Sequence, residues 1–385
     1  MLPYGKHSVD EDDVDAVIDV LRNQFLTQGA IVPQFETALC EYTHSQYAVA
    51  VNSGTSGLHI ACLAAGVGQN DLVWTVPNTF VASANCALYC GAKIDFVDID
   101  KTTRNIDLAQ LAQKLLLAKQ QNNLPKVLIL VHFSGLSCDM QTIQKLTLKY
   151  GVLLIEDAAH ALGGNYKNTK IGCCKYSDMT VLSFHPVKSI TSAEGGAVLT
   201  NNQSLQQKLV LFAKHGVTRD PSQMSGDSHG PWYYQQVELG YNYRMSDIHA
   251  ALGLSQLKKI DNFISKRREL AAKYDQALAD LPLLLPQISE LQNSAWHLYM
   301  IELKTHSRKD VFQKLHEKNI GVNVHYIPIH LQPYYQNLGF KQGDFPVAET
   351  FYNHALTLPL FPDMTAQQQA QVIQALREVL EEDVK

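Results

Sequence analysis

The chain contains no run of about 18 uninterrupted apolar residues, the length a helix needs to cross a bilayer. Its first residues, Met-Leu-Pro-Tyr-Gly-Lys, turn acidic at once and hold no apolar core of signal-peptide length. Both absences lead to the expectation of a cytoplasmic protein with no membrane partner. Basic charge is not in excess. Lysine and arginine number 32 against 37 acidic residues, a net charge of −5, so nothing points to nucleic acid. The short basic run Lys266-Arg267-Arg268 falls in a helical pattern and reads as a solvated helix face. The seven cysteines are spaced neither as a zinc site nor as a redox pair, and the adjacent Cys173 and Cys174 read as reduced thiols. No His-Glu-x-x-His occurs among the 15 histidines, so no metal is expected. The first strand is not followed by Gly-x-Gly-x-x-Gly or by Gly-Lys-Ser/Thr, which argues against a Rossmann oxidoreductase and a Walker nucleotide site.

What is present is length and rhythm. At 385 residues the chain exceeds one ordinary core, so a large domain and a smaller one are expected. The large domain is read as 1–250 with a helical N-terminal segment. The small α/β domain is read as 251–385, entered by a long helix over about 246–280. A first helix is expected over 8–22 with Ser8 as its N-cap, and a second over 31–43. Apolar strands then alternate with helices: strands at 47–51, 72–76, 94–97, 126–131 and 152–155, helices at 55–65, 79–90, 107–119 and 139–150. That alternation predicts an α/β fold with a mostly parallel sheet covered on both faces. Residues 178–200 break the rhythm, with two strands (179–184 and 196–200) joined by a polar segment. The last hundred residues read as strand 297–303, helix 307–318, strand 320–326 and helix 364–382.

Three segments carry the chemistry. Asn52-Ser53-Gly54-Thr55-Ser56-Gly57 joins a strand to a helix, where free N–H groups, hydroxyls and the positive helix end suit a phosphate. Helix capping alone accounts for such a turn equally well. Asp157 ends a buried parallel strand, where open α/β sheets bind ligands; it could pair with a cation there or cap the next turn. Lys188 lies between two apolar strands in a segment without helical period. A lysine drawn into an apolar site loses its proton near neutral pH and can form an imine, whereas one at a strand end can simply reach solvent. Together, in this order, the three meet the needs of pyridoxal phosphate: a phosphate cradle, a carboxylate for the pyridine nitrogen and an imine-forming amine. A cofactor-binding regulator would need a DNA-binding or partner module, and the chain shows no basic recognition helix.

Ordered motifs run through the chain: Leu26-Thr27-Gln28-Gly29, Pro77-Asn78-Thr79-Phe80, Val131-His132-Phe133-Ser134-Gly135, Glu156-Asp157-Ala158-Ala159-His160, Ser183-Phe184-His185-Pro186-Val187-Lys188, Ala193-Glu194-Gly195-Gly196 and Asn242-Tyr243-Arg244-Met245. In these the sequence resembles the DegT/DnrJ/StrS family of sugar aminotransferases. The resemblance implies a fold-type I pyridoxal-phosphate enzyme that works as a homodimer with shared active sites. It makes Lys188 the catalytic Schiff-base lysine and Asp157 the partner of the pyridine nitrogen. His160 falls at the position beside the ring, where many members have Gln, and Phe80 at the aromatic position over it. Gly54, Thr55, Ser56 and Ser183 match phosphate contacts, and Asn242 is expected to reach the neighbouring subunit's site. Tyr4, the Gln24-Phe25-Leu26-Thr27 stretch, Gly54, Ser183, His185 and Asn323-Val324-His325-Tyr326 match the sugar-nucleotide site. Within the family the likeness points to members that aminate C4 of a UDP-linked 4-keto-6-deoxy-N-acetylhexosamine on the pseudaminic acid pathway. L-Glutamate would be the donor and 2-oxoglutarate the product. Relatives acting at C3 or C4 of other UDP- or dTDP-keto sugars share most of these motifs.

Overall fold

A computed structural model describes residues 1–287 and 292–382. Its centre is a seven-stranded sheet in the order 47–51, 196–200, 179–183, 153–157, 127–131, 72–75, 93–96. Strand 196–200 is antiparallel to both of its neighbours, and the remaining pairings are parallel. Six strands therefore end at one edge of the sheet, and the seventh begins there. The central strands are apolar on both faces because helices cover both; every residue of Val127–Val131 is buried.

The helices follow from local sequence. Glu11–Asn23 begins with a reciprocal box in which Asp10 accepts from the Asp13 N–H at 3.3 Å and Asp13 accepts from the Asp10 N–H at 3.1 Å. The cap is thus Asp10 rather than Ser8, whose carbonyl instead accepts from the Gln256 amide at 2.7 Å. Gly54–Ala64 is buried along most of its length, as a helix between a sheet and other helices must be. The stretch expected as one long helix is two, Asp247–Leu257 and Ile260–Ala277. The chain tightens between them, where the N–H groups of Lys258 and Lys259 bond three residues back. Lys259 also pairs there with Asp10 and Asp13.

Helix Ile260–Ala277 bridges two cores. Ile260, Phe263 and Ile264 join the core of the large sheet. Leu270, Ala271 and Tyr274 join a second core with Tyr299, Leu356 and Val372. The second core packs on a small sheet in the order 283–284, 299–303, 355–358. Residues 320–326, expected as a strand, pair with that sheet through one bridge, between Asn323 and Thr357. The third strand is Ala355–Leu358, which sequence reading passed over. Arg267 also departs from expectation. It is 1% exposed, and its guanidinium donates to the carbonyls of Trp296, His297 and Leu360 at 3.0–3.3 Å. Among the described residues no helix is long and apolar enough to cross a membrane.

Candidate active site

The strand ends at the common edge of the large sheet surround a cavity of about 440 Å³. Strand 47–51 leads into the Ser53 turn. Ser53 Oγ caps the following helix by accepting from the Ser56 N–H at 3.1 Å. The Ser56 hydroxyl donates to Asn52 Oδ1 at 2.7 Å and lies 2.9 Å from Ser53 Oγ, so it is spent within the turn. Ser53, Gly54 and Thr55 line the cavity. The turn packs tightly on the strands behind it. A β-carbon on Gly54 would stand 2.9 Å from Ser183 Cβ, and one on Gly196 2.7 Å from the backbone of Ser53 and Gly54.

Asp157 ends strand 153–157, buried at the sheet edge. Ser83 Oγ donates to its Oδ2 at 2.6 Å and the Ala159 N–H to its Oδ1 at 3.1 Å. Thr79 Oγ1, 2.9 Å from Ser83 Oγ, is left to donate to it, giving a relay Thr79–Ser83–Asp157. Burial pushes the Asp157 carboxyl up, against these hydrogen bonds and the charge of Lys188. Lys188 sits in the connection between strands 179–183 and 196–200. That connection is held by bonds from Phe184 N–H to the Gly195 carbonyl, from Lys188 N–H to His185 and from Ser192 N–H to Phe184, each 2.9 Å. Ala193 takes a φ of +64° in the same loop, a conformation its β-carbon disfavours. Its N–H is anchored on Thr191 Oγ1 at 3.0 Å. Burial pulls the Lys188 ammonium down to about 8, against the attraction of Asp157, so a usable share of neutral amine exists near neutral pH.

The opposite wall brings together residues distant in sequence. Tyr326 Oη lies 3.2 Å from His160 Nε2, and the His160 ring is 4.2 Å from that of His297. His325 Nδ1 lies 2.8 Å from Thr357 Oγ1, and its ring is 5.2 Å from Tyr4. Burial and the nearby Lys188 charge pull His325 down to about 4, and His160 well below its usual value, so both rings are neutral. Phe80, 56% exposed, stands at the mouth with its ring 6.2 Å from Tyr326.

Of the residues singled out in the sequence, Tyr4, Gly54, Thr55, Phe80, Asp157, His160, Ser183, His185, Lys188, Asn323, Val324, His325 and Tyr326 line this cavity. Ser56, buried within the turn, does not line it, and neither do Gln24, Phe25, Leu26, Thr27 and Asn242, which are exposed elsewhere on the chain. Sequence reading overlooked Ser83 and Glu194, which line the cavity, and His297, whose ring packs on that of His160. Ser83 could have been suspected, since it falls in the first turn of the helix Ala82–Tyr89, which follows the strand end at Thr75. His297 carried no such signal.

The cavity suits pyridoxal phosphate. Asp157 has only a hydroxyl and an amide as direct partners, and a protonated ring nitrogen would complete it. Among the described residues His160 Nδ1 has no hydrogen-bond partner and is buried. The fold and this site define a pyridoxal-phosphate-dependent sugar aminotransferase. The chain belongs to the DegT/DnrJ/EryC1/StrS aminotransferase family, which it matches over residues 7–377. It is 40% identical to a Campylobacter jejuni protein named UDP-4-amino-4,6-dideoxy-N-acetyl-beta-L-altrosamine transaminase, over 99% of this chain and 98% of that one. Among solved structures it superposes on Helicobacter pylori PseC, an aminotransferase involved in the biosynthesis of pseudoaminic acid. The TM-score is 0.89 at 32% identity, with 99% of each chain covered. It also superposes on the PMP form of the Streptococcus pneumoniae sugar aminotransferase Spr1654. There the TM-score is 0.90 at 28% identity, with 99% of this chain and 100% of that one covered.

Proposed function

We propose that the protein moves the amino group of L-glutamate to C4 of a UDP-linked 4-keto-6-deoxy-N-acetylhexosamine, UDP-2-acetamido-2,6-dideoxy-β-L-arabino-hexos-4-ulose. The product is UDP-4-amino-4,6-dideoxy-N-acetyl-β-L-altrosamine, a precursor for pseudaminic acid made in the cytoplasm. The observation that carries the chemistry is the pairing of a softened lysine, Lys188, with the buried Asp157 in one cavity. The 40% identical Campylobacter relative supports the choice of sugar.

When bound, pyridoxal phosphate supplies an aldehyde to carry the amino group and a ring that takes up electrons. The chain does the rest. Ser53, Gly54, Thr55 and Ser183 hold the phosphate at the helix N-terminus. Asp157, fixed by Ser83 and the Ala159 N–H, keeps the ring nitrogen protonated. Lys188 holds the cofactor at rest. Once displaced, its neutral amine takes a proton from Cα of the donor and later delivers one to C4 of the sugar. Glutamate enters and 2-oxoglutarate leaves before the sugar binds, a ping-pong order. Tyr4, His185, His325, Tyr326 and the backbone at Asn323 and Val324 face the sugar. Asn242 and residues 24–27, exposed away from their own cavity, serve the site of a second copy in a homodimer.

The test is product analysis by NMR after incubating the holoenzyme with glutamate and this keto sugar. A new amine at C4 with altrosamine configuration supports the assignment. An untouched sugar, with amination at C3 or C4 of another UDP- or dTDP-keto sugar, overturns it.

A further inference from the structure

The cavity wall opposite the Ser53 turn holds two groups with one proton each to place. Tyr326 Oη and His160 Nε2 are 3.2 Å apart, and their rings lie near parallel at 23°. Burial pushes the Tyr326 phenol up and pulls His160 well below its ordinary value, so a neutral phenol meets a neutral imidazole. The bond between them takes one of the two protons. If Tyr326 donates, the imidazole proton sits on Nδ1, which is buried and has no acceptor among the described residues. Orphaned N–H donors of that kind are rare in folded proteins. If His160 donates from Nε2, only a lone pair is left unmet inside the protein. The Tyr326 proton then points into the cavity that this residue lines. The second arrangement leaves no buried donor without an acceptor. The Tyr326 ring is also held in place, by His325 at 4.8 Å, Phe80 at 6.2 Å and Phe133 at 6.3 Å. Its titratable neighbours are His160, His325, Tyr4 and Asp157.

Three handles of pyridoxal phosphate already have partners in the cavity. The phosphate has the Ser53 turn, the ring nitrogen has Asp157 and the aldehyde carbon has Lys188. In that molecule the phosphate arm and the phenolic oxygen leave opposite edges of the ring. With the phosphate at the turn, the phenolic oxygen faces the wall that carries Tyr326. We propose that the Tyr326 hydroxyl donates a hydrogen bond to this phenolic oxygen, and that His160, donating from Nε2, is the positioning residue that turns the hydroxyl there. The inference rests on the cofactor and is independent of the keto sugar. It gives Tyr326, matched from the sequence to the sugar site, a second task. A donor at the phenolic oxygen steadies its negative charge. The oxygen then holds the imine proton less tightly, so the Lys188 linkage gives up that proton at a lower pH. Tyr326 thereby sets the pH range over which the linkage is protonated.

The experiment titrates the holoenzyme with pH, without either substrate, and follows the visible absorbance of the lysine-linked cofactor. Tyr326→Phe keeps the ring and removes the donor. Its midpoint should rise by about one pH unit, the worth of one hydrogen bond, with cofactor still bound and circular dichroism unchanged. His160→Leu should move the midpoint the same way, and His160→Gln, whose amide can also donate to the hydroxyl, should bring it back. A midpoint that Tyr326→Phe leaves in place or lowers overturns the proposal. A His160→Leu midpoint equal to wild type overturns the positioning role. A second measurement needs no phenol variant. Nitrogen-15 spectra of histidine-labelled wild-type holoenzyme, with His160 identified by its absence in His160→Gln, should show Nε2 protonated and Nδ1 bare. A proton on Nδ1 overturns the proposal. A wrong choice of sugar would alter none of these readings, so the two failures are distinguishable.

Discussion

Glu156 and Asp157 are neighbours on one strand, both carboxylates and both buried, yet they face opposite sides of the sheet and lead opposite lives. Glu156 is saturated. One oxygen accepts from His132 Nε2 at 2.6 Å, and the other from Ser177 and from Thr180 at 3.0 Å. The Cys138 N–H donates to His132 Nδ1 at 3.1 Å, which leaves the proton on Nε2. Burial pushes Glu156 up, but these donors win and hold it below its ordinary value. Asp157 has fewer donors, and there burial wins. A carboxylate that the fold satisfies by itself supports the sheet. One that the fold leaves short of a cation is a place for a ligand.

Lys188→Ala gives the largest expected effect, a loss of about 10⁴-fold in amino transfer with the fold retained. The visible absorbance of the lysine-linked cofactor should vanish while circular dichroism stays unchanged. A variant that keeps its activity sinks the assignment. Glu156→Gln comes next and should act elsewhere. It leaves His132, Ser177 and Thr180 facing a neutral amide, at a cost of about 3 kcal/mol of stability. Denaturant titration reads that cost, and turnover per folded molecule should stay near wild type. If turnover falls more than stability does, the contrast between the two faces fails. Asp157→Asn should show the mirror image, a loss of about 10²-fold in turnover with little change in stability. Ser83→Ala removes one hydrogen bond from Asp157 and should cost about tenfold in turnover.

Much of this was legible beforehand. All seven strands of the large sheet lie within about two residues of their expected places, because alternating apolar runs and helical periods are local signals. Lys188, Asp157 and the Ser53 turn were readable because each sits at a strand end whose position those runs fix. What was not legible depends on distant chain. Arg267 looks like one of three basic residues on a wet helix face until the carbonyls of Trp296, His297 and Leu360 arrive to bury it. His297 packs on His160 from a segment whose backbone N–H donates to the Ser134 carbonyl at 2.9 Å, across 163 residues of sequence. The expected strand at 320–326 had the right composition, but it meets the small sheet at a single bridge, Asn323 to Thr357 on strand Ala355–Leu358.

The smallest effect is the most discriminating, because pH reads the two faces with opposite signs. Lys188 is pulled down to about 8, so its neutral form grows as pH rises. The rate at which apoenzyme takes up pyridoxal phosphate should climb about tenfold per unit below pH 8 and level off above it. Glu156, held below its ordinary value, contributes stability that is present at neutral pH and lost as pH falls through its folded value. Asp157 is raised in the fold, so in apoenzyme falling pH should add stability through its folded value, until the unfolded chain protonates too. Urea midpoints of apoenzyme across pH 3–7 separate the two. Asp157→Asn should remove the acid-side gain and Glu156→Gln the acid-side loss, and a profile unchanged by both would mean that neither carboxylate titrates as its surroundings dictate.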